Sequence, residues 1–398
     1  MARIRKPEHR NDSQVVRREF SARVAEALQE DEELSAMIEP QTVALPDPFP
    51  LYRGGQLHGA RIAYETWGRL SAARDNAILL FTGLSPSAHA ASNERDPSSG
   101  WWQRMLGPGL AIDSDRYFIV CINSLGSCFG STGPASINPA TGERYRLAFP
   151  ELAVEDIAAA GMATVRALGI EQLACVIGAS LGGMSVIAFA TQFPQAARRL
   201  ITISGSPAAS PFSIALRSVQ REAIMRDPDW QGGQYPPDHP PRSGMRLARK
   251  LGTITYRSAA EWRTRFAREP LAGNARSLSP FAPRFAVEGY LESQAERFVR
   301  IFDPNCYLYL STAMDRFDLS EHGGSIAAAL RPVSAEHVLV IGVESDFLFP
   351  IEEQAAIAAG FRQNDIPVRF APLPSLEGHD AFLVDIPRFD AEIRAFLS

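Results

Sequence analysis

The chain has 398 residues, 45% of them hydrophobic and 21% charged, enough for one large core or two to three smaller ones at roughly 150 residues per domain, which excludes disorder. Forty Lys and Arg against forty-five Asp and Glu leave a net charge of −5, so a phosphate-neutralising face, and with it nucleic acid as a partner, is not expected. No apolar run reaches the roughly 18 residues of a membrane span and the N-terminus lacks a secretion signal's apolar stretch, so a soluble cytoplasmic protein without membrane contact is expected.

Residues 1–45 read as an N-terminal extension, basic at first, then acidic over Gln29–Glu33, then punctuated by Pro46, Pro48 and Pro50 just beyond. Val24, Ala27 and Leu28 have the spacing of a short amphipathic helix, expected to be solvated or to contact a partner subunit. From Leu51 short apolar runs alternate with helical patterns. Ala60–Trp67, Ala77–Phe81, Tyr117–Ile122, Ala174–Ile177 and Leu200–Ile203 read as strands, and Val154–Leu168 and Gly183–Gln192 as helices. Continuous apolar strands with helical crossovers predict a mostly parallel sheet covered on both faces. Over residues 208–331 the chain turns rich in Arg, aromatic residues and Pro, and reads as an inserted, mainly helical cap. Strand patterning returns at His337–Val343 and Val368–Ala371, with a last helix from about Pro387. The α/β core is therefore expected to comprise residues 46–207 and 332–398.

The strongest chemical signal is Gly178-Ala179-Ser180-Leu181-Gly182, between an apolar strand and a helical run. A sharp strand-to-helix turn strains the serine, tolerates only small neighbours and aims Oγ out of the sheet beside the helix's first amides. A serine hydroxyl needs a base, and the base a carboxylate to fix its tautomer. His379, in Glu377-Gly378-His379-Asp380, is the one of seven histidines in a Gly-flanked loop after a late strand, and Asp346 follows His337–Val343, with Glu344 as a competing carboxylate. The order Ser, Asp, His is that of the α/β-hydrolase arrangement. Gly83-Leu84-Ser85-Pro86 follows an early strand where a second oxyanion amide belongs, so Leu84 and Leu181 are the candidate donors. His89 reads as a structural loop residue. Cys121, Cys128, Cys175 and Cys306 lack disulfide or zinc spacing and are expected to be buried, Cys128 being the one nearest a site.

Ser180-Leu181-Gly182-Gly183-Met184, Asn123 to Pro134, Ser345 to Pro350 and Gly378 to Leu383 resemble the homoserine O-acyltransferases of the α/β-hydrolase superfamily, from about Asp47 to the C-terminus. The resemblance implies acyl transfer from coenzyme A to an amino-acid hydroxyl through an acylated Ser180, with His379 as base and Asp346 as its partner. It also implies a homodimer, and Arg249 with Asp380 as the pair that binds the amino acid, a guanidinium for its carboxylate and a carboxylate for its ammonium. Gly83, Leu84, Ser85 and Pro86 replace the segment usual in acetyltransferases and resemble the serine O-succinyltransferase branch. Arg217 stands where the acetyl-specific pattern has a neutral residue, and a cation there suits the terminal carboxylate of a succinyl group; the competing reading is a surface Arg on a cap helix. These features lead to an expected transfer from succinyl-CoA, as co-substrate, to L-serine in cysteine synthesis, with no metal or resident cofactor. Homoserine succinyl- or acetyltransfer is the nearest rival, and a plain serine esterase or thioesterase the next. Arg242, Arg246 and Lys250 are open to contact with CoA phosphates or to a solvated helix face.

Overall fold

The computed structural model describes residues 39–272 and 279–398, so the helix expected around Val24, Ala27 and Leu28 lies outside the described residues. Its centre is an eight-stranded sheet built from β1 (Gln41–Ala44), β2 (Arg61–Trp67), β3 (Ala77–Phe81), β4 (Phe118–Ile122), β5 (Leu173–Ala179), β6 (Ala197–Ile203), β7 (His337–Val343) and β8 (Val368–Leu373). The spatial order is β1-β2-β4-β3-β5-β6-β7-β8. Strands from β4 onward in that order run parallel, Phe81 opposite Gly178 and Thr202 opposite Gly178 on the other side. β1 and β2 close the edge as antiparallel strands, Thr42 facing Ala63 and Tyr64 facing Ile122.

One boundary differs from the sequence reading. Gln41–Ala44, assigned there to the extension, is an edge strand of the main sheet. Its four residues alternate between half-buried and exposed, too short and too polar a pattern to announce a strand between Pro40 and Pro46. The central strands need no such help. β3 and β5 are buried along their whole length, because helices cover both faces and leave neither side to water.

Two apolar layers flank the sheet. One joins Leu79, Phe81 and Val176 to α1 (Val154–Ala167) and α2 (Leu181–Gln192); the other joins Ile78, Leu80 and Ile177 to Trp102, Phe389 and Ile393. Alternate residues of one strand thus feed opposite layers, as the two-residue side-chain period demands.

Between β6 and β7 the described chain adds helices and no strand of this sheet. They are α3 (Pro211–Met225), α4 (Arg242–Thr255), α5 (Ala259–Phe266), α6 (Ala286–Ile301), α7 (Pro304–Arg316) and α8 (Ile326–Leu330). Ser210 caps α3 and Asp303 caps α7, each accepting from a backbone amide three residues on. Short α8 packs against α9 (Ile351–Arg362) and against the Leu319–His322 turn that precedes it. Arg242, Arg246 and Lys250 of α4 pair with Glu292 and Glu296 of α6, so their charges hold two helices together and are already answered by carboxylates. No helix among the described residues is long and apolar enough to cross a membrane.

Candidate active site

Ser180 sits at the tip of β5, where the chain reverses into α2 with φ 59° and ψ −121°. A non-glycine residue reaches that backbone conformation only under constraint, and its neighbours supply it. A Cβ on Gly178 would lie 2.2 Å from the Gly182 carbonyl oxygen, and one on Gly182 would lie 2.4 Å from that of Phe81. Both positions therefore require glycine, because the turn, the helix and β3 meet backbone to backbone. The Ser180 hydroxyl does not cap α2, so the helix's first amides stay free of side-chain partners.

That hydroxyl lies 2.8 Å from His379 Nε2, and His379 Nδ1 lies 2.6 Å from Asp346 Oδ2. Asp346 Oδ1 accepts from the Leu348 and Phe349 amides at 3.0 and 2.9 Å. The turn after β7 thus holds one carboxylate oxygen and leaves the other for the imidazole. Glu344, the competing carboxylate, is exposed. His379 is buried, stacked on Phe349 with centroids 4.7 Å apart and flanked by Phe382 and Tyr256. Burial works to lower its pKa, but the Asp346 charge and hydrogen bond raise it further, and the balance lies above the ordinary value. Three side chains far apart in sequence form one hydrogen-bonded series from hydroxyl to imidazole to carboxylate.

Leu181 opens α2, and the half-buried Gly83–Pro86 loop lies against the elbow, a Cβ on Gly83 falling 3.8 Å from the Ala179 oxygen. Leu181 directly follows Ser180, and Leu84 directly follows Gly83 in that loop. The Asn123–Pro134 segment, quoted above for its resemblance alone, supports this loop from below. Ser124 Oγ meets Thr82 Oγ1 at 3.2 Å, and Ser131 Oγ donates to the Asn123 carbonyl at 2.6 Å. His89 anchors the loop's far end. Its Nε2 faces the Ser98 carbonyl, which can only accept, and its Nδ1 faces Glu65 Oε2 at 2.9 Å, so both nitrogens donate. Burial opposes that charge, yet Glu65 and Asp96 raise the pKa overall. Glu65, His89 and Asp96 form the one group among the described residues with the spacing of a metal site. Cys128 is partly buried and accepts from the Asp303 amide, while Cys121, Cys175 and Cys306 are buried.

Arg249 of α4 lies with its guanidinium carbon 4.3 Å above the Phe298 ring, and its Nε and Nη1 are buried without a hydrogen-bond partner. Asp380 follows His379 directly and pairs with Arg257 Nε at 3.3 Å. Burial, partly offset by Arg257, His379 and Arg249, raises its pKa. Arg257 had no signal in the sequence; it also pairs with Glu377 at 2.9 Å, locking the His379 loop to the end of α4. Arg217 is not the surface residue of the competing reading. Its side chain is 7% exposed and its Nε lies 2.5 Å from Asp315 of α7. The wide grooves at the opposite end of the sheet, around Arg199 and Ser398, contain none of these residues.

Comparison with known proteins places this geometry in a family. The family model described as "alpha/beta hydrolase fold" matches residues 76–385. A serine O-succinyltransferase of Stenotrophomonas maltophilia (strain K279a) is 59% identical over 355 residues, covering 89% of this chain and 96% of that protein. The chain belongs to the serine O-succinyltransferase branch of the α/β-hydrolase fold family. Among solved structures, a homoserine O-acetyltransferase from Bacillus anthracis superposes with a TM-score of 0.82 at 28% identity, covering 90% of this chain and 97% of that one. Esterase E22 superposes with a TM-score of 0.81 at 26% identity, covering 91% and 100%. The same fold thus carries a protein named as an acetyltransferase and one named as an esterase.

Proposed function

We propose that this enzyme moves a succinyl group from succinyl-CoA to the hydroxyl of L-serine through an acylated Ser180, giving O-succinyl-L-serine. The observation that carries the reading is the hydrogen-bonded series Ser180–His379–Asp346 together with the Arg249 guanidinium, which faces the Tyr256 ring that flanks His379 and has two buried nitrogens lacking a partner. His379 Nε2 takes the Ser180 proton as Oγ attacks the thioester carbonyl, and the imidazolium gives it to the CoA sulfur as the carbon–sulfur bond breaks. The imidazole then takes the proton of the L-serine hydroxyl as that oxygen attacks the acyl carbonyl, and returns it to Ser180 Oγ as the acyl–serine bond breaks. The Leu84 and Leu181 amides serve as the oxyanion donors, each worth about 3 kcal/mol of barrier.

Arg249 receives the amino-acid carboxylate and Asp380 its ammonium, a division a plain esterase does not need. Holding that carboxylate also removes the cost of two buried, unpartnered donors. The helical segment 208–331 acts as a cap that keeps water from the acyl-enzyme. The product serves cysteine synthesis in the cytoplasm, and the enzyme works as a homodimer without a metal or resident cofactor.

A thiol-release assay crossing L-serine and L-homoserine with succinyl-CoA and acetyl-CoA tests the reading. The succinyl-CoA and L-serine pair is expected to be fastest, and Ser180→Ala to abolish CoA release. Equal release without any amino acid would instead establish a thioesterase, and a Ser180→Ala variant keeping a tenth of the turnover would rule out the acyl-serine.

A further inference from the structure

Arg217 and Arg221 lie one turn apart on α3, where two like charges at this spacing repel. Both reach the same carboxylate. Arg217 Nε lies 2.5 Å from Asp315 Oδ1 and Arg221 Nη1 2.6 Å from Asp315 Oδ2, with Arg217 and Asp315 more than nine-tenths buried and Arg221 17% exposed. Arg221 Nη1 also donates to Ser311 Oγ at 2.9 Å. Two guanidiniums share one anion, and Arg217 Nη2 is left buried with no hydrogen-bond partner.

Such an arrangement is costly unless something answers the second charge, since a buried cation without a partner loses its hydration and regains nothing. The cluster borders the reaction centre. The Arg217 guanidinium carbon lies 5.9 Å from the Phe349 ring, and that ring stacks directly on His379. The Arg217 charge is felt at His379, and at Tyr256 and Tyr307, which also feel Arg249. Glu353 feels it too but is engaged with Ser206.

We propose that Arg217, Asp315 and Arg221 act as one charge-counted unit that receives the terminal carboxylate of the acyl group. Asp315 aims Arg217, and Arg221 is the positioning residue that cancels the Asp315 charge so that Arg217 remains free for substrate. Without Arg221, Arg217 and Asp315 form a neutral pair, and an incoming carboxylate meets Asp315 repulsion as well as Arg217 attraction. The inference rests on succinyl-CoA being the donor, and it places acyl selectivity in two residues beyond Arg217.

The test compares kcat/KM for succinyl-CoA and acetyl-CoA in wild type, Arg221→Gln, Arg221→Lys and the double variant Arg221→Gln/Asp315→Asn, each checked for folding by its melting temperature. Arg221→Gln is expected to lower the succinyl-to-acetyl ratio about ten-fold or more, chiefly through KM for succinyl-CoA, with acetyl-CoA kinetics held within about three-fold. The double variant removes one cation and one anion together, and is expected to recover the ratio to within about three-fold of wild type. Arg221→Lys keeps the charge and must keep the ratio, whether or not Arg221→Gln folds. An unchanged ratio in Arg221→Gln, a lost ratio in Arg221→Lys, or a double variant as impaired as the single one overturns the proposal. A wild-type enzyme with no preference for succinyl-CoA fails at the donor reading instead.

Discussion

Replacing Asp346 by Asn is the most discriminating perturbation of the site, because the surroundings dictate which way the new amide points. Asp346 Oδ1 accepts two backbone N–H groups, from Leu348 and Phe349, within 3.0 Å. Those donors demand an oxygen, since an NH2 there would leave three buried donors facing one another. The new side chain's NH2 is therefore forced toward His379 Nδ1, where Oδ2 now sits at 2.6 Å. A donor at that position makes Nδ1 an acceptor and moves the ring proton to Nε2. The imidazole then presents N–H to Ser180 and cannot take its proton. The loss expected for such a tautomer switch is about 10⁴-fold in kcat, roughly 5.5 kcal/mol of barrier. Thiol release from succinyl-CoA with L-serine measures it, alongside the melting temperature, which should change little because the shape is conserved. An Asp346→Asn variant with unchanged stability and more than a tenth of wild-type turnover would refute the assignment of Asp346 as the group that sets the tautomer.

His379 must be neutral at Nε2 to act as base; burial is the largest single influence and lowers its pKa, but the Asp346 charge and hydrogen bond together with the Asp380 charge carry it above the ordinary imidazole value, so kcat/KM is expected to fall with acid through a midpoint above that value, and in Asp346→Asn that limb should move to lower pH, as a pH–rate profile will show. Gly182→Ala puts a methyl group 2.4 Å from the Phe81 carbonyl oxygen, which should destabilise the fold by about 1–3 kcal/mol; an unchanged thermal or urea midpoint would mean that the elbow backbone yields.

The glycines of the elbow show how local sequence can announce a site. Gly178 and Gly182 are required by contacts that any strand-to-helix reversal of this tightness would make, so their spacing around Ser180 carries the turn within five residues. The unit at Arg217 shows the opposite. Its i, i+4 partner Arg221 was visible on the same helix face, but Asp315, which turns two repelling cations into an ordered group, comes from another helix and carries no mark of its role. Arg257 is similar. Its partners Glu377 and Asp380 are more than a hundred residues away, and their alignment depends on where α4 ends relative to the His379 loop.

The edge strand Gln41–Ala44 was hidden for another reason. An edge strand needs only one partner and one buried face, so its residues need not be apolar, and pairing with Ala63 and Ile62 does what hydrophobic patterning does elsewhere.

From the residues alone followed the α/β alternation, the helical stretch between the sixth and seventh strands, and Ser180 and His379 as candidates with Asp346 and Glu344 both open as the carboxylate, because periodicity, glycine spacing and chain order are properties of short segments. Tertiary packing alone decided which carboxylate faces His379, that Arg217 is buried beside a second arginine, and that the Arg249 nitrogens lack a partner. The physical reason is that burial and charge pairing depend on side chains supplied by separate elements, and whether a charge is answered or left over exists only once those elements have met.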